Sequence, residues 1–327
     1  MVVAALGVLG GGCRASAERV DVPVSNWPGY EYFYLAEQLG LSRRHGLDLR
    51  SVQYADPQLD LRSVQYADPQ TIVHAYLRGD APLAQLTTVE AVDLCSRVPD
   101  RCPVVVLVLN ESLGGDQVAA RAGIAAIEQL RGRRVGVTYS TLGPYVLSRA
   151  LEQKGLSLKD VDLRNISLDA MPEALARGTV DAVAIFPPYS ERAARQEGTT
   201  TLFDSRRIPG EIFDVLVVDP QWLQRNRALL PPLLRSWQAA HDERRAHPRR
   251  AVELMARREG LTPAEFESAE RGLRYFSLRQ QLQLLAPGGP LGVSIRGVRR
   301  VQEQLNLVKP GSPLPPVSRE ALSAALR

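Results

Sequence analysis

Residues 75–91, "AYLRGDAPLAQLTTVEA", and residues 173–190, "EALARGTVDAVAIFPPYS", follow one grammar in different letters. Each ends a helix at Arg-Gly (Arg78-Gly79 and Arg177-Gly178), runs on for three residues, enters a short apolar strand and leaves it through a polar or proline-rich loop. Glycine closes helices because it alone adopts the left-handed backbone without strain, and a short apolar run after such a stop reads as a buried strand. Two such units imply two similar α/β lobes, with the change of lobe near Leu109.

The flanking sequence repeats the alternation. In "RVDVPVSNWPGYEYFYLAEQLGLSRRHGLDLRSVQYADPQ" (19–58), Val20, Val22 and Val24 alternate as in a strand, and Asn26 to Gly29 break it with turn chemistry. Tyr32, Leu35, Ala36 and Leu39 then recur at helical spacing up to Gly40. "CPVVVLVLNES" and "IFDVLVVD" are further apolar strands, while "LRGRRVGVTYSTLGPYVLSRALEQKGL" reads strand, polar turn, helix. Strands that alternate with helices predict mostly parallel sheets flanked by helices, with a ligand cleft between lobes. The expected division is 1–18 as a leader and linker, 19–109 as the first part of lobe 1, 110–206 as lobe 2, and 207–327 as the return to lobe 1 with C-terminal helices.

Composition bounds the function. With 327 residues and 45% apolar content, the chain can bury a large core. Its net charge of +4 comes almost wholly from arginine, lysine occurring only at Lys154, Lys159 and Lys309. No basic stripe interleaved with aromatics appears, so nucleic acid is not an expected partner. No run of about eighteen apolar residues exists to form a membrane-spanning helix.

The N-terminal "MVVAALGVLGGGCRASAERV" places an apolar run, Val2 to Leu9, before small residues and Cys13. It resembles the end of a bacterial lipoprotein signal, which makes Cys13 the expected lipidation site and a bacterial periplasm or cell surface the expected location. The sequence departs from that pattern in having no basic residue before the run and Gly10 in the position that prefers Leu. Assigning Cys13 to lipid leaves Cys95 and Cys102, which either close a small disulfide loop in an oxidising compartment or serve as two unpaired small hydrophobes. The four histidines form no cluster with them, so no metal is expected.

Candidate ligand contacts lie where strands give way to loops. Trp27 and Tyr30 follow the first strand and offer flat apolar walls with polar edges. Thr87 and Thr88, and likewise Ser140 and Thr141, end strands just before helices, where hydroxyls either meet a ligand or cap the helix. Ser112, Gly114, Gly115 and Asp116 form the loop entering the second lobe. The glycines allow close backbone approach, and Asp116 either binds a cationic or amide group or caps the next helix. Pro187, Pro188 and Tyr189 end the last strand of that lobe as a wall, and Asp181 closes the turn before it. No phosphate loop, dinucleotide fingerprint or nucleophile elbow is present, and no cofactor is expected.

Four stretches together, "NWPGYEYFYLAEQLGL" (26–41), "NESLGGDQVAARAGIAAIEQLRGRRVGVTYSTLGPYVLSRALEQKGL" (110–156), "ALARGTVDAVAIFPPYSERA" (174–193) and "IPGEIFDVLVVDPQWL" (208–223), carry a resemblance. From Val20 to Leu307 the chain resembles the periplasmic solute-binding proteins of ABC importers in the nitrate, sulfonate, taurine and thiamine-precursor group, the NMT1/THI5-like proteins. The resemblance implies a two-lobed periplasmic-binding-protein fold of type II, closure of a monomer on an anionic, zwitterionic or heterocyclic solute, and delivery to a permease with its ATPase. It departs from the family at Pro82, where the second lobe has Asp181 and the family often has Asp in both places. The same fold hosts enzymes of pyrimidine and menaquinone biosynthesis and periplasmic ligand sensors, which stand as the alternatives.

One feature belongs to neither lobe grammar nor family. "LDLRSVQYADPQ" occurs twice in tandem without a change, at 47–58 and 59–70. A solenoid would continue repeating, so two copies and a stop mark a recent duplication. The extra copy is expected as a surface bulge, and either copy can supply the strand.

Overall fold

The computed structural model describes residues 17–54, 69–139 and 141–327. Its strands are β1 (Glu18–Pro23), β2 (Leu47–Val52), β3 (Leu83–Thr87), β4 (Val104–Ser112), β5 (Gln117–Ala120) and β6 (Arg134–Val137). They continue with β7 (Asp162–Asn165), β8 (Ala182–Ile185), β9 (Thr200–Asp204), β10 (Phe213–Val218) and β11 (Leu273–Arg274). The expected lipidation site Cys13 and the candidate contact Ser140 lie outside the described residues.

The first lobe joins a parallel pair, β1 with β2, to a sheet ordered β11-β4-β10-β3. The side chain of Gln85 on β3 donates to the carbonyl of Pro23 at 2.9 Å and ties the two together. β4 and β10 are buried along almost their whole length, as strands covered on both faces must be, which is why they read as continuous apolar runs. Leu230, Leu233, Leu234, Trp237 and Ala240 recur along one face of helix Leu230–Ala246, which packs on helix Glu31–Gln38 and on Glu320–Ala325. The second lobe is a sheet ordered β7-β6-β8-β5-β9.

The expectation of mostly parallel sheets needs correction. In the second lobe β6 pairs in parallel with β7 and β8, but β5 runs against both its neighbours, β8 and β9. In the four-stranded sheet every ladder is antiparallel. The cause is connectivity. β5, the first strand after the crossing, and β10, the returning strand, are inserted between strands laid down by the ordinary strand–helix–strand alternation, and they point the other way.

The two crossings are bound to one another. The outgoing one lies between Ser112 and Gln117, the returning one between Asp204 and Phe213. The Ser112 and Ser205 hydroxyls are 2.8 Å apart, Gly114 N–H donates to Ser205 Oγ at 2.6 Å, and Ser205 N–H donates to the Asp116 carbonyl at 2.9 Å. Gly114 has φ 121°, a backbone region that an L side chain rarely adopts. Elsewhere the lobes touch through an exposed ion pair, Arg195 at the end of helix Tyr189–Ala194 with Glu265 in helix Pro263–Glu270. Helix Pro290–Gln304 packs against helices of both lobes, Thr88–Arg97 and Gly143–Glu152.

Both copies of the tandem repeat are used, for different purposes. The first supplies β2, directly tethered to the preceding turn through Gly46; the last residues of the second begin helix Pro69–Arg78. Residues 55–68, on which the expectation of a bulge falls, lie outside the described residues. Because the copies are identical, removing 59–70 or 47–58 gives the same protein, in which one copy supplies both strand and helix start. That deletion is expected to leave soluble expression intact and to hold or slightly raise the melting temperature; an insoluble product would show the second copy to be structural.

Cys95, in helix Thr88–Arg97, and Cys102, just before β4, form a disulfide with S–S 1.97 Å. Alkylation without reductant should leave both unlabelled. For so short a loop, replacing both with serine is expected to lower unfolding free energy by roughly 2–3 kcal/mol in urea titrations; quantitative labelling of both thiols would refute the bond.

Candidate functional site

The loop after β1 and the strand β10 meet at one carboxylate. Trp27 Nε1 donates to Asp214 Oδ2 at 2.9 Å and the Tyr30 hydroxyl donates to Asp214 Oδ1 at 2.7 Å, across 187 and 184 residues of chain. Asp214 is 2% exposed and stands in register between Thr87 on β3 and Asn110 on β4. A carboxylate inside an apolar strand is costly unless its oxygens are bonded, and these two donors provide that. The loop is held from behind as well. Arg258 is ion-paired with buried Glu31 and donates to the Ser25 carbonyl at 2.7 Å. Gly29 admits no side chain, since a Cβ there would lie 2.0 Å from Asn110 Nδ2.

Above Asp214 lies a small cavity of ≈ 20 Å³, about the space of one water molecule. From the first lobe it is lined by Trp27, Tyr30, Thr87, Glu90 and Asp214, and from the second by Asp116, Leu142 and Phe186. Thr87 and Glu90 form a capping box at the start of helix Thr88–Arg97: Glu90 N–H donates to Thr87 Oγ1 at 3.3 Å, and Thr87 N–H to Glu90 Oε2 at 2.8 Å. This fixes the Glu90 carboxylate at the cavity wall. The Trp27 and Phe186 rings close the cleft edge to face, their centroids 5.6 Å apart. Outside, an open groove of ≈ 700 Å³ lined by Asp93, Tyr139 and Thr141 shares Glu90 with the cavity.

The electrostatics of the cavity are one-sided. Burial pushes the Asp116 carboxyl up to about 7, against an opposing hydrogen bond with Ser112, and its Oδ2 has no hydrogen-bond partner among the described residues. Burial also holds Asp214 well above the ordinary carboxylate range; the Tyr30 and Trp27 hydrogen bonds oppose this, and the neighbouring charges of Asp116 and Glu90 add to it. Tyr30 is raised by burial and by the same three carboxylates. No arginine, lysine or histidine lines the cavity among the described residues.

Of the residues selected from sequence, the cavity gathers Trp27, Tyr30, Thr87 and Asp116. Thr88 is buried behind them, its hydroxyl without a hydrogen-bond partner among the described residues. Ser112 and Gly114 bind the crossings rather than line the cavity, and Gly115 packs beneath the Trp27 ring, where a Cβ would lie 2.8 Å from Trp27 Cη2. Thr141 donates to the Thr138 carbonyl at 2.9 Å and faces the outer groove. Pro187 and Tyr189 stand one step out: Phe186, just before them, makes the wall, and Tyr189 packs on Phe186 with ring centroids 5.9 Å apart. Asp181 accepts from Arg121 and Arg134 at the opposite end of β8.

Glu90, Leu142, Phe186 and Asp214 were not among those residues. Two carried a readable signal. Glu90 completes the Thr-x-x-Glu capping pattern, and Asp214 is an isolated charge inside the apolar run "IFDVLVVD".

The family described as NMT1/THI5 like matches residues 27–251. A putative binding protein of Brucella abortus is 21% identical over 57% of this chain and 60% of its own length, so the match spans less than two thirds of that relative. Among solved structures, the periplasmic aliphatic sulphonate binding protein SsuA from Escherichia coli superposes with TM-score 0.70 at 16% identity, covering 90% of this chain and 89% of that one. The desulfurization enzyme DSZB also superposes, with TM-score 0.65 at 18% identity over 94% and 99% of the two chains. The architecture is thus the two-lobed α/β periplasmic-binding-protein fold, and that fold carries both binding proteins and an enzyme.

The raised Asp116 carboxyl makes stability depend on pH. Its folded value lies above the ordinary 3.8, so the folded state binds the proton more tightly, and stability present below about pH 4 is lost as pH rises toward 7. Asp116→Asn should therefore be more stable than the parent at about pH 8, by up to roughly 4 kcal/mol, and match it near pH 4. Melting curves whose separation does not change across that range would speak against the buried charge.

Proposed function

The chain belongs to the NMT1/THI5-like family, and from that membership we propose that it captures a small solute by closing its two lobes and presents it to a membrane permease of the ABC type. Capture takes place in the periplasm or at the cell surface in this reading, with Cys13 as the lipid anchor. The observation that carries it is the composition of the cavity: residues of both lobes enclose one space, and the Trp27–Phe186 contact spans the cleft above Asp116 and Asp214. Both crossings run beside this space and are tied to each other through Ser112 and Ser205, so in this reading closure turns about these loop residues.

Fold alone does not separate capture from catalysis, so the lining bears on the choice. Among the described lining residues the only hydroxyls are those of Tyr30, which donates to Asp214, and Thr87, which caps a helix; there is no serine, cysteine, lysine or histidine. A nucleophile–base pair is what acyl or group transfer needs. The carboxylates can bind a donor or take up a proton, so the fate of the bound compound is what separates capture from catalysis.

Small-angle scattering should show a larger radius after ligand is stripped by unfolding and refolding, and mass spectrometry should recover the released compound chemically unchanged after incubation with fresh protein. Trp27→Ala removes the ring that bridges the lobes and is expected to weaken binding about tenfold. Conversion of the compound, or a radius indifferent to ligand, would favour the enzyme branch of the fold.

A further inference from the structure

The cavity contains three acidic side chains and, among the described residues lining it, no basic one. Asp116 is 3% exposed and its Oδ2 has no hydrogen-bond partner among the described residues, although it borders a space that admits one. A buried carboxylate oxygen left without a donor is destabilising, and such a group marks a place where a bound molecule, an ion or water supplies the missing donor. The donors that would hold an anion are already engaged: the Trp27 indole N–H and the Tyr30 hydroxyl both donate to Asp214. Each Asp214 oxygen keeps a further lone pair for a donor from the ligand.

We infer that the captured solute is an organic cation, a protonated amine, amidine or guanidinium, held by Asp116, Asp214 and Glu90 against the rings of Trp27 and Phe186. This rests on the solute-capture reading and specifies its ligand class. An anionic solute would put its charge into a buried, low-dielectric space whose carboxyls already resist ionising, with no fixed positive group among the described lining residues to meet it. A cation neutralises the cluster, supplies N–H donors to Asp116 Oδ2, and gains from aromatic faces. The mutual effects of the acids agree with the geometry: Asp116 and Glu90 both act on Asp214, so a single small cation reaches the field of all three.

The test is calorimetric titration of the full chain, after unfolding and refolding to strip ligand, with small probes matched in skeleton and opposite in charge: methylammonium against methanesulfonate, and guanidinium against nitrate. The cations are expected to bind and raise the melting temperature, the anions to do neither. Asp116→Asn and Glu90→Gln, both able to keep their structural hydrogen bonds, should each weaken cation binding at least about tenfold. Glu173→Gln, on the exposed surface beside Arg177, should leave it unchanged. Preference for the anions, no binding by either cation, or unchanged affinity in both cavity variants would overturn the inference. Anion binding with a reduced scattering radius would do so while leaving solute capture standing; conversion of a bound cation would strike capture and leave the charge assignment standing.

Discussion

Asp214 is the point through which the two ends of the fold acquire a common geometry. Its two oxygens take hydrogen bonds from Trp27 and Tyr30, which lie on a loop formed by the start of the chain, while Asp214 itself arrives on the strand that returns from the second lobe. An apolar residue there would pack equally well in the strand and leave an indole N–H and a phenol without partners. The carboxylate therefore sets where the aromatic wall stands, and the wall sets where the second lobe stops, because Phe186 rests on the edge of Trp27.

Behind that contact both the aromatic loop and the two crossings are fixed by buried contacts. The Ser25–Tyr30 loop is fixed by the buried Arg258–Glu31 pair, by Gly29 against Asn110, and by Gly115 beneath the indole. The crossings are joined by hydroxyl and backbone hydrogen bonds of Ser112, Gly114 and Ser205, both serines being fully buried.

How far the sequence discloses this depends on which physical signal each part leaves. The lobes are legible because helix stops at Gly79 and Gly178 and the apolar runs after them have fixed periods. Strand direction is not, since nothing in "IFDVLVVD" tells that β10 inserts antiparallel between β3 and β4. Among the site residues, Trp27, Tyr30, Thr87 and Asp116 follow from their places at strand ends. Glu90 and Asp214 escaped because a charge in a cap or strand acquires meaning only once its neighbours in space are known, and Asp214 meets Trp27 and Tyr30 across most of the chain. The serines show the converse: Ser112 stands at a loop entry, yet its hydroxyl faces another crossing instead of the cavity.

Under the proposed capture of a solute, the ion pair between Arg195 and Glu265 bears on how long that solute stays. It bridges the lobes at the rim with the arginine side chain 59% exposed, so water and dissolved ions compete for both partners and the bridge contributes only about 0–1 kcal/mol. In the proposed capture, residence time is then governed from within the cleft and very little by this exposed pair. In the proposed handover, a departing solute removes a restraint inside the cleft that this exposed pair is too weak to replace.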